Sequence, residues 1–257
     1  METVSIIIPL KGKMETKNLE NLLHQEVYDP EIIIVSSSGE MTSFDKRIKF
    51  VVSNARRSEA KNIGAMISKG SILLFLDSDM EVDNDFIKKG LNDLNGNDAL
   101  IFPEITLGKG LISSGRRFER IGLYKSIYYE APRMIKKEIF INIGGYPVEN
   151  EAFEDLEVTS KLLLNGYKIG WSDNIIYHHE EEVNIIEYIK KRKFYMRNNK
   201  SLMKEKNPQF YEEMTNVKLR LKCFINSIKY YRLKSMVYLP GYLLVNFIDF
   251  FIFMVMR

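Results

Sequence analysis

The sequence predicts an α/β fold: a mixed, mostly parallel sheet flanked by helices, with a basic and then apolar helical appendage at the C-terminal end. Three observations carry this. Short β-branched runs such as Ile6-Ile7-Ile8 and Ile32-Ile33-Ile34-Val35 alternate with helical patterns over the first 80 residues, the signature of βαβ units. The 257 residues are 45% hydrophobic and 28% charged, which supports a sizeable core and excludes disordered, collagen-like and disulfide-rich classes. Charge is segregated: residues 1–187 hold 22 Lys/Arg and 30 Asp/Glu, residues 188–234 hold 14 and 3, and residues 235–257 hold one of each.

Val4 to Pro9 reads as a buried strand closed by proline. With no basic n-region and no apolar stretch of about 7–15 residues, it is expected to be a first strand and not a signal peptide. Asn18 to Glu26 places Leu19, Leu22 and Leu23 at helical spacing. Glu31 to Val35 is a second buried strand, ending in Ser36-Ser37-Ser38-Gly39, and Ile48 to Val52 a third. Ser58 to Lys69 is a helix stopped by Gly70. Ile72 to Leu76 is a strand that runs straight into Asp77-Ser78-Asp79. Further on, Glu154 to Asn165 is a helix ended by Gly166. Ile175 to Tyr177 is a short strand leading into His178-His179, and Trp171, just before it, is expected to be buried. Basic helices follow over Val183 to Asn199 and Glu212 to Arg232. Residues 236–256 are apolar at 17 of 21 positions, interrupted by Pro240-Gly241 and Asp249. The stretch after the proline spans about 22 Å as a helix, short of a hydrocarbon core of about 30 Å. It is therefore expected to insert partially or to lie in the interface, the alternative being that it packs on the catalytic domain or a second subunit. The lone Cys223 permits neither an internal disulfide nor a cysteine zinc site and points to a small core residue in a reducing compartment. Two domains are expected, a catalytic one over 1–200 and a membrane-associated helical one over 201–257.

Two carboxylates one residue apart at a strand end, Asp77 and Asp79, can hold a divalent cation together with phosphate oxygens. Asp also caps helices and fills turns, so the pair gains meaning from its company. That company is Ile8-Pro9, Val35-Ser36-Ser37-Ser38-Gly39, Ala60-Lys61-Asn62-Ile63-Gly64, Gly144-Gly145-Tyr146, Glu154-Asp155, Gly166-Tyr167 and His178. In this order and spacing, over roughly residues 3–200, the chain resembles the family 2 glycosyltransferases of GT-A fold.

The resemblance implies an inverting, metal-dependent transfer of a sugar from a nucleotide-diphosphate donor. It implies that Pro9, Lys11, Ser36, Ser37, Lys61 and Asp77 line the donor nucleotide, that Asp79 and His178 contact a divalent cation (Mn or Mg), and that Asp155 is the general base. Two positions depart from the family pattern: Ser36-Ser37 stand where acidic residues are usual and bring no charge, and Lys61 replaces an arginine and so loses its bidentate fork. Arg116, Arg117, Arg120, Lys125 and Arg133 form a basic stretch that reads either as a phosphate contact near the acceptor entrance or as a solvated face. The basic run Lys190-Lys191-Arg192-Lys193, with Phe194 and Tyr195 beside it, suits an anionic membrane surface. A lipid-linked or polyprenyl phosphate acceptor at the cytoplasmic face of the membrane is then expected. No nucleic-acid recognition motif accompanies the basic segment. A sugar-phosphate nucleotidyltransferase would need a richer glycine loop than Lys11-Gly12-Lys13. A non-catalytic module that keeps the fold is the alternative reading, supported only by Ser36-Ser37.

Overall fold

The computed structural model describes residues 3–11, 16–26, 30–37, 45–125, 130–149, 154–180, 183–206, 212 and 216–255. Its contacts fall into two units, Met1–Phe102 with Glu130–Ile176, and Pro103–Tyr129 with Tyr177–Arg257. The division is thus interleaved rather than a single cut at residue 200, because residues 103–129 pack with the C-terminal segment.

The first unit runs β1 (Val4–Leu10), α1 (Thr16–Leu23), β2 (Glu31–Ser36), β3 (Ile48–Val52), α2 (Arg57–Ile67), β4 (Ile72–Phe75), β5 (Met80–Val82), α3 (Phe86–Leu94) and β6 (Ala99–Ile101). After an excursion into the second unit through β7 (Glu104–Leu107) and α4 (Gly110–Leu123), it resumes with β8 (Pro132–Lys136), α5 (Lys137–Asn142), α6 (Glu154–Leu164) and β9 (Ile169–Trp171). Seven strands form one sheet in the order β3-β2-β1-β4-β8-β6-β9. The β1–β2, β1–β4, β2–β3 and β6–β9 pairs are parallel; only β8 runs against its neighbours.

The apolar runs are continuous because both faces are covered. Ile6, Ile8, Ile32, Ile34 and Leu74 join Leu22 of α1 and Phe86 of α3 in one cluster. On the other face Ile33 and Val35 meet Ala60 of α2. Helix α2 sits very close to the sheet at Gly64, where a Cβ would stand 2.5 Å from Ile7 Cγ2. Trp171 is only half-buried, contrary to expectation: it lies in β9, at the edge of the sheet, with no strand beyond it among the described residues.

The second unit continues with β10 (Ile176–His179), which pairs with β7, then α7 (Ile185–Lys206), α8 (Val217–Tyr231), a 3₁₀ turn at Arg232–Lys234, and α9 (Ser235–Val255). Both expected histidines lie within β10 rather than after it. Helix α4 is its centre. Gly115 of α4 meets the backbone of Gly241 in α9, and Gly122 meets Cys223 and Ser227 of α8. Ser227 Oγ donates to the carbonyl of Phe118 at 2.6 Å. Cys223 is buried, as expected. Pro240 does not break the apolar segment, because α9 starts at Ser235 and holds the proline inside it. As the sixth residue of α9 it removes one i→i−4 hydrogen bond, that to the carbonyl of Met236. The whole helix is therefore about 31 Å long, not 22 Å. Asp249, the acidic interruption, accepts from Arg192 of α7 at 2.7 and 2.5 Å.

Candidate active site

In parallel sheets the carboxyl ends of the strands gather loops and helix N-termini at one edge. Asp77 lies two residues beyond β4. Strand β8 runs the other way, so its first residues reach the same edge: Met134 pairs with Leu74, and Arg133 Nη1 comes within 3.5 Å of Asp77 Oδ2. Helix α2 starts there as well. Arg57, its first residue, places Nη2 2.5 Å from the same Asp77 oxygen and Nε 3.9 Å from Glu154. Lys61 follows four residues later, on the same helix face. Its Nζ is 3.1 Å from Asp155 Oδ1 and 4.4 Å from the centre of the Tyr146 ring. Glu154 and Asp155 occupy the first turn of α6, where the helix dipole favours negative charge. Three cations, Arg57, Lys61 and Arg133, thus interlock with three carboxylates, Asp77, Glu154 and Asp155.

The electrostatics follow from this packing. Burial pushes Asp155 upward, but Lys61, then Arg133 and Arg57, outweigh it and hold its carboxyl below the usual carboxylate range. Glu154 goes the other way: burial first, then the adjacent Asp155, raise it, and Lys61 and Arg57 offset only part. Asp77 raises Arg57 despite burial. Burial, then Asp155, carry the Tyr146 phenol well above its ordinary value. Two neighbouring acids in one turn therefore differ, with Asp155 the firmly ionised one.

The Ala60-Lys61-Asn62 and Gly144-Gly145-Tyr146 motifs are one structural device. Asn62 Nδ2 donates to Tyr146 O at 2.8 Å, and Tyr146 N donates to Asn62 Oδ1 at 2.9 Å. Gly144 and Gly145 both have positive φ, 78° and 65°, which favours glycine. This clamp seats Tyr146 under Lys61 and against Phe75, with ring centroids 5.1 Å apart.

The other expected residues are dispersed. Asp79 is exposed at the turn after β4, which Asn18 supports by donating from Nδ2 to Ser78 O at 3.3 Å. Pro9 is half-buried and Lys11 exposed at the end of β1; Ser36 is fully buried, and Ser37 is exposed. His178 belongs to the second unit, where its Nδ1 lies 3.1 Å from Arg120 Nη1 and 3.5 Å from Glu104 Oε2. Among the described residues no group of three His, Cys, Asp or Glu is gathered to hold a metal. The basic stretch of the sequence is not one patch either. Arg116 pairs with Glu180 and Arg120 with Glu104, both at 3.1 Å, within the second unit, whereas Arg133 serves Asp77 in the first. Sequence reading alone does not single out Arg57; its place four residues before Lys61 was the available signal.

The sequence model of the family described as Glycosyl transferase family 2 matches residues 5–156, from β1 to just past Asp155. This chain belongs to glycosyl transferase family 2. A curated relative, an uncharacterized glycosyltransferase of Haemophilus influenzae, is 30% identical over 192 residues, 65% of this chain and 65% of the relative. Among solved structures, S. aureus TarS superposes with a TM-score of 0.56 at 14% identity, over 84% of this chain and 44% of TarS. TarS 1–349 in complex with UDP gives 0.56 at 16% identity over 84% and 73% of the two chains, and its complex with UDP-GlcNAc gives 0.53 at 15% identity over 88% and 79%. These likenesses concern the fold, which is of GT-A type. The family 2 chain described here thus spans about two thirds of its curated relative and 44% of the first of these TarS chains, and its interlocked ion cluster lies within the matched family region except for its structural support from α6.

Proposed function

We propose that this chain is an inverting glycosyltransferase that takes a sugar from a nucleotide-diphosphate donor and delivers it to a lipid-linked acceptor at the cytoplasmic face of a membrane. The observation that carries the reading is Asp155: an ionised carboxylate at a helix N-terminus, paired with the buried Lys61, beside the strand-end Asp77. In an inverting transfer the acceptor hydroxyl attacks the anomeric carbon from the side opposite the departing diphosphate, and a positioned carboxylate takes its proton. Asp155 is assigned that task. Lys61 is assigned to keep Asp155 charged and aimed, because its ammonium is buried against that carboxylate. Arg57, half exposed beside Asp77, is the cation best able to meet donor phosphates. Pro9, Lys11 and Ser37 border the nucleotide side.

A divalent cation fits the exposed Asp79, since Mg²⁺ and Mn²⁺ commonly use one or two carboxylates and complete their shell with substrate phosphates and water. Such an ion would offset charge on the leaving diphosphate. Membrane action is supported by the basic segment and by one helical stretch, Val217–Ile252, long and apolar enough to cross a membrane.

The test is a thermal-shift panel with UDP, GDP, CDP and dTDP, each with Mn²⁺, Mg²⁺ or EDTA, followed by transfer assays onto polyprenyl phosphate and glycolipid acceptors. With a glycolipid hydroxyl as acceptor, Asp155→Asn should bind nucleotide normally and lose about 10²–10⁴-fold in turnover; polyprenyl phosphate, already ionised, gives up no proton and should be far less affected. Asp79→Ala should lose the metal-dependent part of the shift. An undiminished rate of Asp155→Asn on the hydroxyl acceptor removes it as the base.

A further inference from the structure

Helix α9 uses one stripe and leaves another bare. Gly241, Val245, Ile248 and Ile252 are buried at heptad-like spacing, with Val245, Ile248 and Ile252 clustered with Ile112 of α4 and Tyr188 of α7. On the outer side Leu243, Phe247, Phe250 and Phe251 are between 58% and 67% exposed. Helix α8 repeats the pattern: Cys223 and Ser227 are buried, while Val217, Leu221, Ile225 and Ile228 form an exposed stripe. Beside that stripe run Lys218, Lys222 and Lys229, all exposed. Bare aromatic and aliphatic faces of this extent mark an interaction surface, and the lysine border of the α8 face selects an anionic one.

We infer that the outer face of α9, with the lysine-bordered face of α8, docks in the plane of an anionic phospholipid bilayer, and that α9 does not cross it. Length alone would permit crossing, since about 31 Å matches a hydrocarbon core of about 30 Å. The inner stripe forbids it. Crossing would either strip α9 from α4, where Gly115 and Gly241 meet backbone to backbone, or draw Arg116, Arg117 and Glu119 of α4 toward the hydrocarbon. It would also carry the Arg192–Asp249 ion pair inward, and charges at the bilayer centre are costly. Only the outer stripe is available to lipid, so α9 lies with its aromatic rings among the acyl chains and α8 keeps its lysine heads at the phosphates. This deepens the membrane-surface part of the reading above and rests on it.

The full chain, carrying a C-terminal epitope, is mixed with sealed vesicles of phosphatidylcholine alone or with phosphatidylglycerol. The expected result is sedimentation with the anionic vesicles, weakened by salt. Lys218→Gln/Lys222→Gln should lower affinity about 30-fold, and Phe247→Ser/Phe251→Ser at least tenfold. All four side chains are exposed, so both variants should fold as the parent does, judged by circular dichroism. The epitope should stay open to external protease. Protection of the epitope, or vesicle binding indifferent to both variants, overturns the inference. So does a vesicle-free dimer, seen by light scattering, that the phenylalanine variant dissolves: the face would then join two copies. The nucleotide panel, run on the same variants, separates the failures, because loss of nucleotide binding with intact vesicle binding strikes the transferase reading and leaves the docking in place.

Discussion

Lys61→Met is the most informative single change in the first unit. Methionine keeps most of the aliphatic stem and leaves little cavity, so the variant isolates the ammonium. That ammonium is fully buried, 3.1 Å from Asp155. Removing one partner of a buried pair costs about 3–5 kcal/mol. Asp155 retains 25% exposure of its side chain, and Arg133 and Arg57 still act on it, which puts the expected loss below that range, at about 2 kcal/mol. The lost contact with the Tyr146 ring adds to it, at about 0.5–2 kcal/mol. A total near 3 kcal/mol is a large part of the 5–15 kcal/mol that typically separates folded from unfolded states. The sole tryptophan, Trp171, lies in β9 of the same unit and reports urea unfolding by fluorescence. With a slope of about 2 kcal/mol per molar, the midpoint should fall by about 1.5 M. Lys61→Met/Asp155→Asn should recover most of the loss, because the uncompensated carboxylate is gone. A midpoint unchanged in the single variant, or a double variant no more stable than the single, refutes the claim that these two charges hold each other.

Two further predictions use the same assay. Asn62→Ala removes both hydrogen bonds of the clamp on Tyr146 and should cost about 2 kcal/mol, from about 1 kcal/mol for each. Glu154→Gln should raise the midpoint at neutral pH. A carboxyl whose folded pKa is raised binds its proton more tightly when folded, so its ionised form costs stability above that pKa, and the gain from glutamine should fade as pH falls through it. Asp155 has the opposite sign. Its depressed pKa contributes stability above the ordinary carboxylate range, lost only as pH falls through the lower folded value. Transfer by the ionised base should accordingly persist into mildly acidic solution before it declines.

Much of this arrangement was legible in the chain. Ile6-Ile7-Ile8 and Ile72-Leu73-Leu74-Phe75 announce strands covered on both faces, because no polar residue interrupts them. Glu154-Asp155 ahead of an apolar helical pattern announces an acidic first turn. Motif order led to the family, since Lys61-Asn62, Asp77-Ser78-Asp79 and Gly144-Gly145-Tyr146 keep their spacing. What the letters could not convey was who faces whom. Arg133 looks, in sequence, like a neighbour of Arg116 and Arg120, yet the antiparallel β8 delivers it to Asp77 while the others join another unit. Arg57 carries no motif of its own and gains its place from α2's first turn. Pro240 and Asp249 look like breaks in an apolar segment, yet α9 runs through the proline, and Arg192 neutralises the acid. Local patterning determines which segments become strands and helices, because it depends on neighbours a few residues apart. Pairs such as Lys61–Asp155, Arg133–Asp77 and Arg192–Asp249, and the choice of which face of α9 remains bare, depend on residues far apart in the chain, and only the packed tertiary structure brings those together.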